Sequence, residues 1–208
     1  MLNKKFITFE GGEGSGKTTQ IKILKRKLIK YGDVITTREP GGSPNAEVIR
    51  KLLVKGDKDR WSNISELLLI NAARRDHLEN TILEALKNGK FVLCDRFFDS
   101  TVVYQGYGKG LDIKMINHLD KLVTNRLKPK ITFLLNIKPE VGITRSRRIS
   151  NKELRYENMP INYHKKINSS FLKIAKENAK RFVVIDASKD KDQISDLIWN
   201  TVKKRLLS

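Results

Sequence analysis

The segment FEGGEGSGKTTQ, residues 9 to 20, limits the possible folds of this chain more than any other feature. Its frame is Gly11, four residues, then Gly16, Lys17 and Thr18, and its glycines let several backbone N–H groups point at one polyphosphate. The β-branched and aromatic run KKFITF comes before the frame, and an amphipathic run comes after it. Strand, loop and helix in this order predict a phosphate-binding loop, with Lys17 as a cation and Thr18 as a ligand for Mg²⁺.

Length and composition favour one domain over residues 1–208. The chain has no Pro/Ser/Gly linker, internal repeat or low-complexity stretch, and 208 residues can enclose one sizeable core. No apolar run approaches the roughly 20 residues needed to cross a bilayer. The single cysteine, Cys94, cannot form an intrachain disulfide, so we expect a cytoplasmic location. Cys94 follows an apolar run without a base-bearing motif, which predicts a small buried residue rather than a nucleophile.

The net charge of +19 raises the possibility of a nucleic-acid partner. Lysines outnumber arginines 28 to 14 and are scattered over predicted helix faces, without interleaved aromatic residues. This distribution favours a solvated basic surface, so we expect no specific nucleic-acid partner and no membrane partner.

Strand-like and helix-like patterns alternate along the chain. The predicted strands are 4–9, 33–37, 90–94, 130–137 and 181–186. The predicted helices are 17–31, 44–55, 65–88, 112–125, 139–149, 158–179 and 191–206. Ser43-Pro44 predicts a helix start, and Gly89 predicts a helix stop. The alternation predicts an α/β fold with a parallel sheet flanked by helices, and ligands bound at the carboxyl ends of the strands.

Two further segments place polar residues at that edge. Asp95 and Arg96 follow the strand FVLC, where the carboxylate can hold Mg²⁺ or its water and the guanidinium can bind a phosphate. An Asp–Arg pair can instead merely close a strand end, but the phosphate-binding loop favours a functional role. In TREPGGSPNAEVIR, residues 37–50, Arg38 and Arg50 can reach an anion and Glu39 can orient one of them. An ordinary strand-to-helix turn is the alternative.

The histidines carry no clear signal. For His77, His118 and His164 we expect solvated side chains without a metal, since none has a partner at metal-ligand spacing. Arg74 and Arg75 lie in the same predicted helix as His77 and could likewise be solvated charges.

Taken together, the motifs resemble those of bacterial thymidylate kinases nearly from end to end. The resemblance is carried by FEGGEGSGKTTQ, TREPGGS, AARRDHL, LCDRFFDSTVVYQGYGKG, PEVG at 139–142, RYE at 155–157 and IDAS at 185–188. It implies a P-loop kinase fold with a five-stranded parallel sheet, transfer of the ATP γ-phosphoryl group to dTMP, dependence on Mg²⁺, and a homodimer.

The resemblance also implies roles for individual residues. ATP is expected to contact Gly11, Gly14, Ser15, Gly16, Lys17, Thr18 and Thr19. The expected dTMP side comprises Glu13, Arg38, Glu39, Arg50, Ile70, Arg74, Arg96, Thr101, Tyr104 and Gln105. Mg²⁺ is expected at Thr18 and Asp95. Glu13 lies inside the loop for the polyphosphate, where a carboxylate needs a cationic or hydroxyl partner; the resemblance implies that this partner is the 3′-hydroxyl of the deoxyribose.

Phosphoryl transfer needs positive charge near the transferred group, and Lys17 is the only cation within the phosphate-binding loop. The segment 144–157 carries several arginines and no long apolar run, which is typical of a mobile lid; a solvated basic loop is the alternative. The expected catalytic residues are Lys17, Asp95, Arg96, Arg145, Arg147 and Arg148. Two positions depart from the family pattern: Ile70 replaces an aromatic residue expected to stack on thymine, and Leu154 replaces an aspartate of the lid.

Three other functions are less well supported. A GTPase needs an Asp-x-x-Gly switch, which is absent, and NKEL at 151–154 lacks the final aspartate of a guanine-reading motif. A basic binding protein would not account for Glu13, Lys17, Asp95 and Arg96 at strand ends. Another nucleoside or nucleotide kinase is the strongest alternative.

Overall fold

Five parallel strands form the centre of the molecule. The computed structural model describes residues 2–57, 60–149 and 158–207, except the side chains of residues 2, 148 and 149. The strands are β1 (Phe6–Glu10), β2 (Val34–Arg38), β3 (Phe91–Asp95), β4 (Ile131–Asn136) and β5 (Phe182–Asp186). Their order in the sheet is β2-β3-β1-β4-β5, and every neighbouring pair is parallel. The predicted five-stranded parallel sheet is confirmed.

Helices connect the strands. The α-helices are α1 (Lys17–Leu28), α2 (Pro44–Val54), α3 (Asn63–His77), α4 (Leu83–Lys87), α5 (Phe98–Thr101), α6 (Ile113–Thr124), α7 (Pro139–Ile149), α8 (Ile161–Glu177) and α9 (Lys191–Val202). Short 3₁₀ turns cover Leu2–Lys5 and Ile29–Tyr31, and π-helical segments cover Leu78–Ile82, Val102–Gly108 and Lys203–Leu207. Lys4 and Lys5, which we predicted in the first strand, therefore lie in the turn that precedes it.

The three central strands, β1, β3 and β4, are buried on both faces, as is usual for a parallel sheet with helices on each side. Alternate residues of β1 point to opposite faces, so that Phe6 joins one apolar cluster and Ile7 joins the other. The first cluster packs against α8 and the helical segment that follows α3, and the second packs against α1 and α9. Cys94 is buried in the first cluster, as predicted.

One functionally important element differs from the sequence prediction. Residues 98–108 form α5 and the π-helical segment, although we assigned them neither helix nor strand. Val102, Val103 and Gly106 are weak helix formers, so local propensity does not mark this helix. It forms because Val103 and Tyr104 are buried against the first cluster.

Candidate functional site

A cavity of about 980 Å³ opens at the carboxyl ends of the central strands. Most predicted site residues line it: Glu13, Gly14, Ser15, Gly16, Lys17, Thr18, Thr19, Arg38, Glu39, Arg50, Ile70, Arg74, Asp95, Arg96, Thr101, Tyr104, Gln105 and Arg145. Gly11 and Arg147 do not line it, and the Arg148 side chain lies outside the described structure. The topology explains this convergence, since parallel strands bring their following loops to one edge.

The phosphate-binding loop leads directly into α1. Gly11, Gly14 and Gly16 have φ angles of 136°, 63° and 91°, which favour glycine, and Gly16 is the N-cap residue of the helix. The Lys17 ammonium folds back over the loop and donates to the carbonyls of Gly11 at 3.2 Å and Gly12 at 3.1 Å. Burial and the Arg96 charge lower the pKa of Lys17, against the opposing effect of nearby carboxylates. A polyphosphate could replace these carbonyls as the partner of the ammonium.

A hydroxyl and a carboxylate meet beside this loop. Thr18 Oγ1 donates to Asp95 Oδ2 at 2.9 Å, at the junction of α1 and β3. Mg²⁺ prefers oxygen ligands and is commonly held by one or two protein groups together with substrate phosphates and water. This pair of side chains fits such an ion. Within residues 2–57, 60–149 and 158–207, no cluster of three or more His, Cys, Asp or Glu could hold a metal by itself.

The Glu13 carboxylate contacts two side chains from the segment that follows β3. Its Oε1 accepts from Arg96 Nη2 at 2.8 Å and from Tyr104 Oη at 2.9 Å, and the Arg96 guanidinium lies 5.0 Å from the centre of the Tyr104 ring. Burial alone would raise the pKa of Glu13, but the charges of Arg96 and Lys17 outweigh it and lower the pKa below its ordinary value. The requirement for a cationic or hydroxyl partner is therefore met by one of each.

A second buried carboxylate, Glu39, organises the opposite wall. Arg74 Nε donates to Glu39 Oε2 at 2.7 Å, and His77 Nδ1 lies 3.2 Å from Glu39 Oε1. Burial would raise the pKa of Glu39, but the Arg74 charge and the His77 hydrogen bond lower it. The prediction that Glu39 orients Arg38 or Arg50 is wrong. Its partners, Arg74 and His77, both lie on α3.

His77 also differs from its prediction as a solvated side chain. It is fully buried, and its Nε2 lies 2.6 Å from Thr37 Oγ1. His164 is buried as well, whereas His118 is exposed as expected. The signal for His77 was helical spacing: Glu66, Ile70, Arg74 and His77 follow one another at intervals of four, four and three residues, which places them on one face.

Arg38 and Arg50 contact groups other than Glu39. Arg38 Nη2 lies 3.1 Å from Glu47 Oε2, and Arg50 Nη1 donates to the carbonyl of Pro40 at 2.6 Å. Both side chains line the cavity, so each guanidinium presents positive charge to an anionic ligand.

The far end of the cavity is lined by residues on α3 and on the helix after β3. Arg74 Nη2 donates to Thr101 Oγ1 at 2.8 Å, and Gln105 Nε2 donates to Glu66 Oε1 at 2.9 Å. Glu66 is fully buried and also pairs with the Lys109 ammonium at 2.8 Å. Sequence reasoning missed Glu66, although its place on the Ile70 and Arg74 face could have revealed it.

Helix α7 approaches the phosphate-binding loop closely. A Cβ at Gly142 would collide with the carbonyl oxygen of Glu13, and a Cβ at Gly14 would collide with the carbonyl oxygen of Gly142. Arg145 and Arg147 are both exposed, and Arg145 Nη1 donates to the Ala187 carbonyl at 3.2 Å. The rest of the predicted lid, residues 150–157 with Leu154 and Arg155, lies outside the described residues.

Glu10 is a further buried carboxylate that sequence reasoning did not assign. It ends β1 and is fully buried, with hydrogen bonds to the backbone N–H of Phe97 and to Ser100 Oγ. Burial, together with the charge of Asp99, raises the pKa of Glu10 to about 8. An acidic residue at the end of an apolar strand was the available signal.

Comparisons with known proteins show the family of this chain. A family model described as Thymidylate kinase matches residues 9–198. The chain belongs to the thymidylate kinase family. The thymidylate kinase of a Bradyrhizobium species is 44% identical over 207 residues, 98% of this chain and 92% of that protein. The Ruegeria pomeroyi thymidylate kinase is 46% identical over 191 residues, 91% of this chain and 90% of that protein.

A solved thymidylate kinase has the same fold. The crystal structure of the enzyme from Ehrlichia chaffeensis superposes with a TM-score of 0.78 at 34% identity, covering 95% of this chain and 97% of that one. The thymidylate kinase family thus accounts for the P-loop kinase fold predicted above. Within the described part of the chain, no helix is long and apolar enough to cross a membrane.

Proposed function

We infer that the chain transfers the γ-phosphoryl group of ATP to dTMP, giving dTDP and ADP for dTTP synthesis. Family membership over residues 9–198 supports this reaction. The observation that carries it within the site is Glu13: a carboxylate inside the phosphate-binding loop turns towards Arg96 and Tyr104. This arrangement supports the proposal, because it offers a hydrogen-bond acceptor and a cation to a second, hydroxylated and anionic substrate.

The cavity offers different chemistry to the two substrates. Backbone N–H groups of the loop, the N-terminus of α1 and Lys17 suit the ATP phosphates. The monophosphate of dTMP is assigned to Arg38, Arg50 and Arg96, since one guanidinium group can donate two parallel hydrogen bonds to phosphate oxygens. The remaining residues of the proposed ATP site are Gly11, Gly14, Ser15, Gly16, Thr18 and Thr19.

The thymine base is assigned to the wall formed by Ile70, Arg74, Thr101 and Gln105. Arg74 is fixed by Glu39 and Thr101, and its Nη1 has no hydrogen-bond partner among the described residues. A buried donor beside the cavity is suited to a base carbonyl. Ile70 packs against the base as an aliphatic surface. Glu13 accepts a hydrogen bond from the 3′-hydroxyl of the deoxyribose. Tyr104 occupies the space into which the 2′-hydroxyl of a ribonucleotide would project.

The reaction needs positioned positive charge more than a general base. A phosphate monoester has a second pKa of about 6, so at pH 7 the acceptor oxygen of dTMP is mostly deprotonated. Negative charge on the transferred group is met by Lys17 and Arg96, together with Arg145, Arg147 and Arg148 of the lid. Mg²⁺, held by Thr18 and Asp95, would neutralise charge on the ATP phosphates.

Three broader properties belong to the same proposal. The chain forms one domain with a lid at 144–157, and it is cytoplasmic. It is a homodimer; in support, Ile64 and Leu68 on α3 and Leu122 on α6 are exposed apolar residues on helices that pack together. Light scattering on the purified protein would report a monomer mass if this part is wrong.

Acceptor choice tests the function directly. ADP release should be measured with ATP and each of dTMP, dUMP, AMP, UMP and CMP at equal concentration, with and without Mg²⁺. We expect dTMP to give the highest kcat/KM and removal of Mg²⁺ to abolish turnover. A higher kcat/KM for AMP, UMP or CMP would contradict the assignment and favour another nucleotide kinase.

A further inference from the structure

Glu10 lies behind the site rather than in it. It is the last residue of β1, it is fully buried, and it does not line the cavity. Burying a carboxyl group without partners is costly, so its contacts indicate what the group stabilises.

Both carboxyl oxygens of Glu10 hold the start of the helix that follows β3. Oε1 accepts from the backbone N–H of Phe97 at 2.8 Å, and Oε2 lies 2.6 Å from Ser100 Oγ. Phe97 is the N-cap residue of α5 and makes no side-chain cap of its own. The first N–H groups of a helix need acceptors from elsewhere, and Glu10 supplies one from a different element.

Arg96 is the residue between the strand and this helix. Its φ angle is 66°, in the left-handed region that non-glycine residues rarely adopt. Such a conformation persists only when the surroundings hold it. Its backbone N–H donates to the carbonyl of Phe9 at 2.9 Å, and its Nη1 donates to the carbonyl of Gly11 at 3.0 Å and to Ser100 Oγ at 3.2 Å.

Residues 9, 10 and 11 therefore all form hydrogen bonds with the segment from Arg96 to Ser100. Phe9 and Gly11 hold Arg96 itself, and Glu10 holds the two residues, Phe97 and Ser100, that flank and contact it. Ser100 connects the two sets, because its hydroxyl contacts both the Glu10 carboxyl group and the Arg96 guanidinium. The guanidinium so placed meets Glu13 at 2.8 Å.

We propose that Glu10 is a positioning residue for dTMP binding, which acts by holding the Phe97–Ser100 turn and thereby the strained conformation of Arg96. The proposal rests on the assignment of Arg96 to the dTMP phosphate. A purely structural Glu10 would stabilise the fold without a selective effect on dTMP.

The test is a double-mutant cycle in which the Kd for dTMP is measured by isothermal titration calorimetry. Glu10→Ala, Arg96→Ala and the double variant are compared with wild type, and KM for ATP is measured wherever turnover remains. We expect Glu10→Ala to raise the dTMP Kd by at least about tenfold and to leave KM for ATP within about twofold. In the Arg96→Ala background, Glu10→Ala should change the dTMP Kd by less than about twofold, since the effects of residues that act as one unit are not additive.

Two further variants separate positioning from loss of stability. Glu10→Gln keeps an acceptor for the Phe97 N–H and places an amide donor opposite Ser100 Oγ, which donates to Glu10 in wild type but can also accept. Its dTMP Kd should therefore stay within about threefold of wild type. Val202→Ala shortens a fully buried side chain at the end of α9, far from the edge of the site. It should lower Tm while leaving the dTMP Kd unchanged.

If Glu10→Ala does not fold, Ser100→Ala replaces it in the cycle. This variant should raise the dTMP Kd by about three- to tenfold, again only when Arg96 is present. Equal effects of Glu10→Ala, or of its replacement, with and without Arg96 would overturn the positioning role. An unchanged dTMP Kd in Arg96→Ala would instead overturn the placement of Arg96 in the dTMP site.

Discussion

At the scale of single residues, Glu13 shows how a phosphate-binding loop tolerates a negative charge. One oxygen of the carboxylate accepts hydrogen bonds from both Arg96 and Tyr104. Hydrogen bonds to charged groups contribute about 1.5–3 kcal/mol each, enough to keep a half-buried carboxylate ionised. In the proposed reaction, the loop would bind ATP through its backbone and dTMP through the Glu13 side chain.

Glu13→Gln should impair dTMP use while sparing ATP. The amide keeps an acceptor oxygen but removes the charge that holds Arg96, so we expect KM for dTMP to rise by about tenfold or more. KM for ATP should stay within about twofold in the same steady-state assay. Tyr104→Phe removes the hydrogen bond from one uncharged donor but keeps the ring and the Glu13–Arg96 ion pair, so it should have a smaller effect. A loss of ATP affinity with an unchanged KM for dTMP would place Glu13 on the ATP side.

Asp120 should make the fold less stable at neutral than at acidic pH. Burial raises its pKa to about 6 from an ordinary 3.8, although the Arg74 charge opposes this. The folded state therefore binds a proton more tightly, and the stabilisation is complete below pH 3.8 and lost as pH rises through about 6. The loss is at most about 3 kcal/mol, at about 1.4 kcal/mol for each pKa unit.

The measurement is urea unfolding at pH 5 and pH 7.5 for wild type, Asp120→Asn and the exposed control Asp33→Asn. Asp120→Asn should stabilise the protein more at pH 7.5 than at pH 5, while Asp33→Asn should change both values equally. An Asp120→Asn benefit that is the same at both pH values would show that the carboxyl group does not titrate in this range.

At the scale of elements, α7 and the phosphate-binding loop touch through two glycines. Gly14 and Gly142 bring the helix backbone against the loop without an intervening side chain. The same helix carries Arg145 to the edge of the cavity. The position of α7 is therefore coupled to the shape of the loop that binds phosphate.

Gly142→Ala should disturb this contact. The new methyl group would collide with the carbonyl oxygen of Glu13, a backbone atom that cannot move alone. Although alanine favours helix by about 1 kcal/mol, we expect a lower Tm and a kcat at least about tenfold lower. Val141→Ala, an exposed substitution on the same helix, is the control and should change neither. An unchanged or higher Tm in Gly142→Ala would mean that α7 can shift without cost.

The lid arginines should act on the rate of transfer rather than on dTMP binding. Replacement of Arg145, Arg147 and Arg148 together by alanine should lower kcat by at least about a hundredfold, towards the low end of the effect of a catalytic arginine. The dTMP Kd without ATP should stay within about twofold. Lys25, Arg26 and Lys30, exposed on α1 and the turn after it, give a control triple alanine variant with the same loss of charge. A wild-type kcat in the folded lid variant would contradict a catalytic role for these three arginines and would leave Arg155 as the candidate.

At the scale of the whole molecule, a charge of +19 on 208 residues opposes compaction. Like charges repel over roughly a Debye length, which shrinks from about 30 Å at 0.01 M salt to about 8 Å at 0.15 M. Basic side chains such as Lys25, Arg26 and Lys30 are exposed and do not line the cavity, so the surface contributes to this repulsion as well as the site.

Added salt should therefore stabilise the protein. Between 10 and 200 mM NaCl we expect Tm to rise by a few degrees, because screening relieves repulsion in the folded state more than in the expanded unfolded state. Sucrose at matched osmolality controls for solute exclusion, and scanning calorimetry gives the values. A Tm that falls with salt would show that attractive ion pairs dominate the surface.

The sequence alone determined the class of fold and the location of the site. Glycine spacing in the loop and apolar runs of strand length are local properties, so they suffice to place Lys17, Thr18 and Asp95 at one edge of a parallel sheet. Five strands were predicted to within about two residues at either end, since buried strands have a strong apolar pattern.

Only the tertiary structure decided which polar groups become partners. Glu39 pairs with Arg74 and His77 rather than with Arg38, and Glu10 holds a turn 87 residues away. The helix at 98–108 exists because Tyr104 is buried, and not because of its own propensity. Such pairings depend on distances between elements remote in sequence, and burial makes each unpaired charge too costly to leave alone. Local pattern predicts where a chain is helical or extended, whereas the packing of those elements selects the contacts that make the site.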